Sequence, residues 1–365
     1  MNHNHIIIGA GVSGLSAALR LLQRDCHVTL LDRCAVGGES SWAGGGILSP
    51  LLPWDYAEPV SALALRSMAA YAAWVADIEA TSKLDAELWR CGMLALDVAS
   101  PQQALAWCAT HGMMALRDCP DALNTLGGGN PIWLPGVAQV RNPRLVAALR
   151  AAVVKLGGVI HEHCPAIGVV TQNRRVTAVQ TATKTFPADN VVLATGAWSG
   201  LGLAELAAMP KIRPIRGQML LFKLEPGALD TILYRNGLYL IPRRDGHVLV
   251  GSTVEDAGFD KSTDATTLQH LHAEAAKMLP VLSTVQPIRH WAGLRPGSPG
   301  NIPVIGPHPD FDNVFINTGH YRYGVTMAPA SAALLLDLME GNTPALDPTP
   351  YSWQAALART WTDAL

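Results

Sequence analysis

The chain has little charge and few aromatics: 15% of its 365 residues are Asp, Glu, Lys or Arg, 6% are Phe, Trp or Tyr, and the net charge is −2. So even a balance leaves no whole-chain electrostatic footprint for nucleic acid or an anionic membrane. Cysteine is also sparse. The six present (Cys26, Cys34, Cys91, Cys108, Cys119 and Cys164) form no C-x-x-C pair, which argues against a metal ribbon or a dithiol redox centre and suits reduced cytosolic thiols. The N-terminus lacks a basic segment, and its apolar run is already used as a first strand. No signal peptide is therefore read, and a cytoplasmic protein without integral membrane association is expected. The one long apolar stretch, 191–209, is interrupted by Gly196, Gly200, Gly202 and Glu205, and reads as strand, glycine turn and short helix. Histidine spacing carries no metal signal. His161 and His163 alternate along an expected strand, His270 and His272 lie two apart on an expected helix, and these with His111 are expected at the surface.

What is present is concentrated at the start. His5-Ile-Ile-Ile-Gly9-Ala-Gly11-Val-Ser-Gly14 precedes an Ala/Leu-rich helical run, and His27-Val-Thr-Leu-Leu-Asp32 follows it. A buried strand, a glycine turn, a helix and a second strand ending in a carboxylate all fall in register, the pattern of a dinucleotide site. Gly9 permits the tight turn, Gly11 lets the backbone approach a pyrophosphate on the helix N-terminus, and Gly14 lets helix and strand pack closely. Asp32 would accept hydrogen bonds from the adenosine ribose. An acid there, where a 2′-phosphate would want a base, favours FAD or NAD over NADP.

With 365 residues and a 49% hydrophobic share, two domains are expected. Residues 39–50 form a hydroxyl- and glycine-rich loop with N–H groups free to meet an anion or a ring system. Helices are expected at 62–80, 101–111, 144–156, 266–279 and about 326–339. Strands are expected at 159–162, 167–172, 176–181, 190–195, 218–224, 238–242, 247–252 and 314–317, and the glycine- and proline-bearing segment 126–136 is read as a connection between modules. Nucleotide-binding elements at the start, middle and end, with strand-rich material between, imply a mixed α/β architecture. One α/β domain is assembled from discontinuous segments (1–82, 137–212 and 293–365) and interrupted by an antiparallel-sheet domain (83–136 and 213–292).

The fingerprint, Gly38-Glu-Ser-Ser-Trp-Ala-Gly-Gly-Gly46, Ala194-Thr195-Gly196-Ala-Trp198, Tyr239-Leu-Ile-Pro-Arg243, Trp291-Ala-Gly-Leu-Arg-Pro-Gly297 and Gly319-His-Tyr-Arg322 occur in one order over nearly the whole chain. Together they resemble the D-amino-acid oxidase superfamily of flavoproteins, and most closely its glycine oxidases, which serve thiazole synthesis for thiamine. The resemblance implies a Rossmann-like FAD-binding domain and a substrate domain whose antiparallel sheet roofs the flavin. It implies that Val12, Ser13, Asp32, Arg33, Ser40, Ser41, Gly45, Gly46 and Ile47 line the FAD, that Val169 reaches the adenine through its backbone, and that Ala194, Thr195 and Gly196 adjoin it. His320, Tyr321, Arg322, Tyr323, Gly324, Val325 and Thr326 would run beside the isoalloxazine, with the helix start aimed at its pyrimidine edge. The cofactor is expected to be non-covalent, because relatives that tether the ring through cysteine do so in the C-terminal third and the last cysteine here is Cys164.

An amino-acid oxidase must hold the substrate carboxylate rigidly, and an arginine fork matches a carboxylate best. Arg295, read in a glycine-flanked turn, is the candidate, and the resemblance agrees. The resemblance also gives Tyr239 as a carboxylate-binding hydroxyl and Arg322 as a second active-site arginine. Tyr323 departs from the family, which has a small polar residue after that arginine. Its phenol is expected either to turn into the pocket or to lie along the rim. No acid or base is required for hydride transfer from a neutral amine. The implied activity is oxidation of glycine and other small amines or D-amino acids, with O2 reduced to H2O2, in a homo-oligomer, dimer or tetramer. Two alternatives remain at this point: a D-amino-acid dehydrogenase delivering electrons to a quinone, and a tRNA-modifying flavodomain.

Overall fold

The computed structural model describes residues 3–119, 129–203, 205–206 and 209–361. Its first third runs β1 (Asn4–Ile8), α1 (Val12–Leu22), β2 (His27–Leu31), a single helical turn α2 (Ser40–Ala43), the long α3 (Glu58–Ser82), β3 (Met93–Ala95) and α4 (Pro101–Thr110). Then come β4 (Ile132–Leu134), α5 (Asn142–Lys155), β5 (Val159–His161), β6 (Ala166–Gln172), β7 (Arg175–Thr181), β8 (Thr185–Pro187) and β9 (Asn190–Leu193). The rest is β10 (Arg213–Lys223), β11 (Ile232–Arg235), β12 (Leu238–Pro242), β13 (His247–Gly251), α6 (Ala265–Met278), β14 (Arg289–Gly297), β15 (Val304–Pro307), β16 (Val314–Thr318), α7 (Gly324–Glu340) and α8 (Trp353–Ala358).

Three strand blocks from distant parts of the chain form one sheet, in the order β15-β16-β9-β1-β2-β5, parallel except at the β15 edge. Its strands are continuous apolar runs because both faces are covered. Ile7, Leu30, Val192 and Phe315 pack against α1, α3, α5 and α7. Ile6, Ile8, Leu31, Val191 and Ile316 pack on the other face against the small sheet β6-β7-β8, through Val169, Val176, Val179 and Phe186. A second sheet has the order β14-β10-β13-β12-β11-β3-β4, antiparallel apart from the β11–β3 pair. Its alternation places Leu220, Phe222, Leu240 and Val250 under α6, and Met219, Ile241 and Leu249 on the opposite face. Among the described residues no helix is long and apolar enough to cross a membrane.

The structure makes three corrections to the sequence reading. Arg295 lies in a strand and not in a turn: β14 pairs with β10 throughout, Ile215 opposite Arg295 and Gly217 opposite Gly293. Its proline and glycines suggest a break, yet β14 is an edge strand, where a missing N–H is tolerated. Within 126–136, residues 126–128 lie outside the described residues, and 132–134 form β4 and not a plain connection. The short β3, β4, β11 and β15 went unread because three or four residues carry too little periodicity. Of the histidines expected at the surface, His163 and His270 are exposed. His111 stacks on Trp107, His161 packs near Phe186, and His272 lies 2.7 Å from the Leu282 carbonyl, so these three are half-buried.

The second sheet is fastened to the 38–47 loop and to the segment before α5 by Arg243, which follows β12 and is 3% exposed. Its guanidinium donates to the carbonyls of Gly45 (2.8 Å) and Val140 (2.9 Å) and to Gln139 Oε1, while Gln139 Nε2 returns a bond to the Pro242 carbonyl. Burial lowers its pKa to about 10, so it keeps its charge at neutral pH. Arg243→Met leaves these acceptors buried and unpaired, each costing about 1–3 kcal/mol. A fall of about 2–4 kcal/mol in unfolding free energy is expected from denaturant titration, and an unchanged midpoint would show that the bridge is dispensable.

Candidate active site

One cavity of about 510 Å³ runs from the end of β2, across the N-terminus of α1 and the 38–47 loop, to the face of the second sheet and the start of α7. Its first wall is the glycine turn. A Cβ on Gly14 would stand 1.9 Å from the Gly9 carbonyl oxygen, so only glycine lets α1 approach β1 this closely. Asp32 organises the turn as well as facing the cavity: its carboxylate accepts the N–H groups of Ala10 (2.7 Å) and Cys34 (2.8 Å), and burial raises its pKa. Ser41 Oγ, from α2, accepts the Val12 N–H at 2.9 Å, at the positive end of α1. Outward, Arg33 lies over the Trp198 ring at 4.5 Å, Trp198 stacks on Phe259, and Lys261 pairs with Glu39 at 3.0 Å, so the segment after β13 crosses the cavity mouth.

The second sheet supplies the inner wall. Gly217 on β10 makes room for the Arg295 guanidinium, since a Cβ there would be 2.3 Å from both terminal nitrogens. Arg295 Nη1 donates to the carbonyls of Thr253 (3.1 Å) and Arg216 (3.3 Å), and Nη2 donates to Ser252 Oγ. None of these partners is a carboxylate. Tyr239 on β12 donates to the same Ser252 Oγ at 3.0 Å. Opposite stands the α7 start, whose first N–H groups have no intrahelical acceptor and turn toward the cavity. Thr326 Oγ1 ties that turn to the Ile47 carbonyl at 2.8 Å. Arg322 lies over the Tyr321 ring at 5.2 Å. Like Arg295, it takes part in none of the ion pairs described.

Nearly all the residues expected at the site therefore share one cavity: Gly9, Gly11, Val12, Ser13, Asp32, Arg33, Ser40, Ser41, 45–47, 194–196, Tyr239, Arg295 and 320–326. Gly14 sits behind the turn, acting through packing. Val169 is not brought to the wall: it is buried in β6 against the main sheet, its N–H donates to Glu205, and Pro165 and Ala166 line the cavity instead. Tyr323 meets neither expected fate fully. Its ring is 3% exposed and packs edge-on against Tyr56 at 5.1 Å, with its hydroxyl donating to that of Tyr56. Sequence reading missed Ser252, Gly217 and Asn142. Asn142 starts α5, is 1% exposed, lines the cavity, and leaves Oδ1 without a partner while Nδ2 donates to the Ser41 carbonyl at 3.0 Å. Only the Asn-Pro helix start at 142–143 hinted at it.

The family model for FAD dependent oxidoreductases (DAO) matches residues 4–338. The chain is similar to the glycine oxidase of Pseudomonas putida, 44% identical over 98% of this chain and 100% of that protein. It is also similar to the bifunctional protein ThiO/ThiG of Nostoc sp., 31% identical over 99% of this chain and 56% of that longer protein. Among solved structures, glycine oxidase from Geobacillus kaustophilus matches with a TM-score of 0.90 at 25% identity, over 96% of this chain and 98% of that one.

Among the described residues, His320 is the one histidine in the cavity wall, 2% exposed, with Nε2 3.0 Å from Ser331 Oγ. Burial lowers its pKa from 6.5 to about 4, so it is neutral at pH 7 and is no proton donor to a ligand. Because the folded-state value lies below the unfolded one, its contribution to stability is fully present above about pH 6.5 and is lost as pH falls toward 4. Between pH 7 and pH 5 this residue is expected to remove about 2 kcal/mol. His320→Asn should flatten that part of the profile in urea unfolding, and parallel profiles would show that another group is responsible.

Proposed function

This chain belongs to the DAO family of FAD-dependent oxidoreductases, and on that premise we propose that it oxidises glycine and other small amines or D-amino acids. In this reading O2 is the electron acceptor, and the overall reaction takes amino acid, O2 and water to 2-oxo acid, ammonia and H2O2. The imine formed from glycine is the unit that thiazole synthesis for thiamine would consume. The observation that carries the proposal is Arg295: a half-buried cation, seated on Gly217 and held by neutral groups only, opening into the cavity. A buried cation without an anionic partner is a binding site for one.

The residues present fit a non-covalent FAD. The glycine-rich turn from Gly9 to Gly14, the unpartnered Asn142 Oδ1 in the wall, and the two helix N-termini at Val12 and Gly324 together suit a long polar anion with hydroxyl donors. Asp32 would take the ribose, Ser13 and Ser41 would adjoin the pyrophosphate, and 320–326 would flank the ring. When bound, the flavin supplies hydride acceptance from the substrate α-carbon and electron transfer to O2. The chain's own contribution is placement. Arg295 fixes the carboxylate, with Tyr239 on the same wall, so that the α-C–H faces the ring at near-attack distance. Arg322 adds positive charge at the opposite side, and Met219, Ile47 and Leu51 supply apolar walls that exclude water.

A substrate panel scored by H2O2 release tests the reaction. Arg295→Ala is expected to retain FAD and lose kcat/KM for glycine by a factor corresponding to about 2–5 kcal/mol. An unchanged kcat/KM for every amino acid would remove Arg295 from the site. Tyr323 acts on selectivity through Tyr56, whose loop at 49–57 borders the cavity. Tyr323→Asn withdraws the ring and the hydroxyl that hold Tyr56, so room for a substrate side chain grows. The kcat/KM ratio of D-alanine to glycine should rise about tenfold, in keeping with about 1–3 kcal/mol per methylene. An unaltered ratio would place side-chain discrimination elsewhere on the wall.

A further inference from the structure

We infer, resting on the amino-acid oxidase reading above, that Glu255 is the positioning residue for Arg295, acting through the two backbone carbonyls on which that guanidinium leans. Arg295 Nη1 donates to the carbonyls of Thr253 at 3.1 Å and Arg216 at 3.3 Å, so where those carbonyls point sets how the fork faces the cavity. Glu255 holds both residues. Its N–H donates to the same Arg216 carbonyl at 3.0 Å, and its own carbonyl accepts the Arg216 N–H at 2.9 Å, an isolated antiparallel pair beyond the end of β13. Its carboxylate accepts Arg216 Nε at 2.8 Å and Nη2 at 2.5 Å, the Gln218 side-chain amide at 3.1 Å, and the Thr253 hydroxyl. An ionised carboxylate only accepts, so each of these donors is fixed by chemistry. Thr253 Oγ1 in turn accepts the Gln218 N–H at 2.8 Å, which anchors Thr253 to β10.

Glu255 does this from outside the cavity. Gly217 and Met219 of β10 face the cavity, and strand alternation turns Arg216 and Gln218 to the opposite face, where Gln218 also donates to Asp264 at the start of α6 at 3.0 Å. The carboxylate therefore pairs with Arg216 and leaves the charge of Arg295 uncancelled. Desolvation would raise its pKa, but the hydrogen bonds from Thr253, Arg216 and Gln218 hold it below the usual carboxylate range, so it is ionised at neutral pH. Two arginines lie against one short segment, and their roles divide: one is neutralised on the outer face, and the other is oriented by neutral carbonyls and kept for an incoming anion. An arginine aimed before the substrate arrives loses little freedom on binding, which strengthens the grip on a carboxylate.

The test uses FAD-loaded wild type, Glu255→Gln, Thr253→Val and Thr253→Ser, and Glu255→Gln again in an Arg295→Ala background. Acetate is the carboxylate probe, read by its perturbation of the flavin spectrum, alongside FAD dissociation and steady-state oxidation of glycine. Glu255→Gln is expected to weaken acetate about tenfold and to raise KM for glycine more than it lowers kcat, with FAD dissociation unchanged. In the Arg295→Ala background the same change should lower kcat/KM for glycine by less than about twofold, because the group it aims is gone. Thr253→Val removes the hydroxyl between Glu255 and Gln218 and should also weaken acetate, and Thr253→Ser, which keeps it, should restore most of the affinity. Wild-type acetate affinity in Glu255→Gln overturns the assignment. So does an equal loss of kcat/KM with and without Arg295, the mark of a general structural effect. If Glu255→Gln does not load FAD, the threonine pair decides: loss in valine with recovery in serine supports the role, and any other pattern overturns it. A wild type that neither binds acetate nor releases H2O2 from any amino acid fails the oxidase reading itself. A wild type that does both, matched by Glu255→Gln, fails Glu255 alone.

Discussion

Everything at the site depends on one buried charge, the Arg243 guanidinium. It reaches from the end of β12 to the Gly45 carbonyl, and so sets the distance between the sheet that carries Tyr239 and the glycine loop that borders the flavin site. A neutral side chain of similar size would pack but could not satisfy the Gly45, Val140 and Gln139 acceptors together. Only a planar fork with several donors meets three acceptors on two segments at once. The cavity is the gap this bridge holds open.

Within that gap the electrostatics are arranged by sign. Two helix N-termini and two arginines outside the described ion pairs give the cavity a positive interior, suited to a pyrophosphate at one end and a carboxylate at the other. The chain as a whole carries a net charge of −2, so this polarity is local and comes from fold geometry. Apart from Asp32, which is spent on the Ala10 and Cys34 N–H groups, the negative groups nearby are paired. Glu255, Asp260 and Asp264 are bound to Arg216 and Gln218 of β10, and Glu39 to Lys261, which pins the crossing segment without neutralising Arg295.

Much of this was legible in the residues before any coordinates. The nucleotide turn is a local motif, its three glycines, helix and terminal acid all within one βαβ unit, so spacing sufficed. Arg295 was legible as a candidate because few residue types hold a carboxylate, and Arg322 through the family resemblance. Ser252 was not. Serine is common, and its place comes from two groups that converge on its oxygen, Tyr239 of the neighbouring β12 and Arg295 of β14, 43 residues on. Asn142 was hidden for a related reason: an Asn-Pro helix start is ordinary until its amide is buried in a cavity wall with one atom left unpaired.

Tyr323 shows where the division falls. From the sequence alone it follows that a bulky phenol sits beside a glycine-started helix next to Arg322, that a dinucleotide binds at the N-terminal turn, and that sheets of different type share the chain. These are consequences of local pattern, of side-chain volume and of the order of the segments. Which way the phenol points was decided by Tyr56, a residue 267 positions away whose ring and hydroxyl hold it edge-on in the cavity wall. Whether the Pro- and Gly-bearing 291–297 segment turns or pairs was likewise decided by β10, whose free edge could accept it. Long-range packing set both, because the local preferences at those positions were too weak or too divided to set them alone.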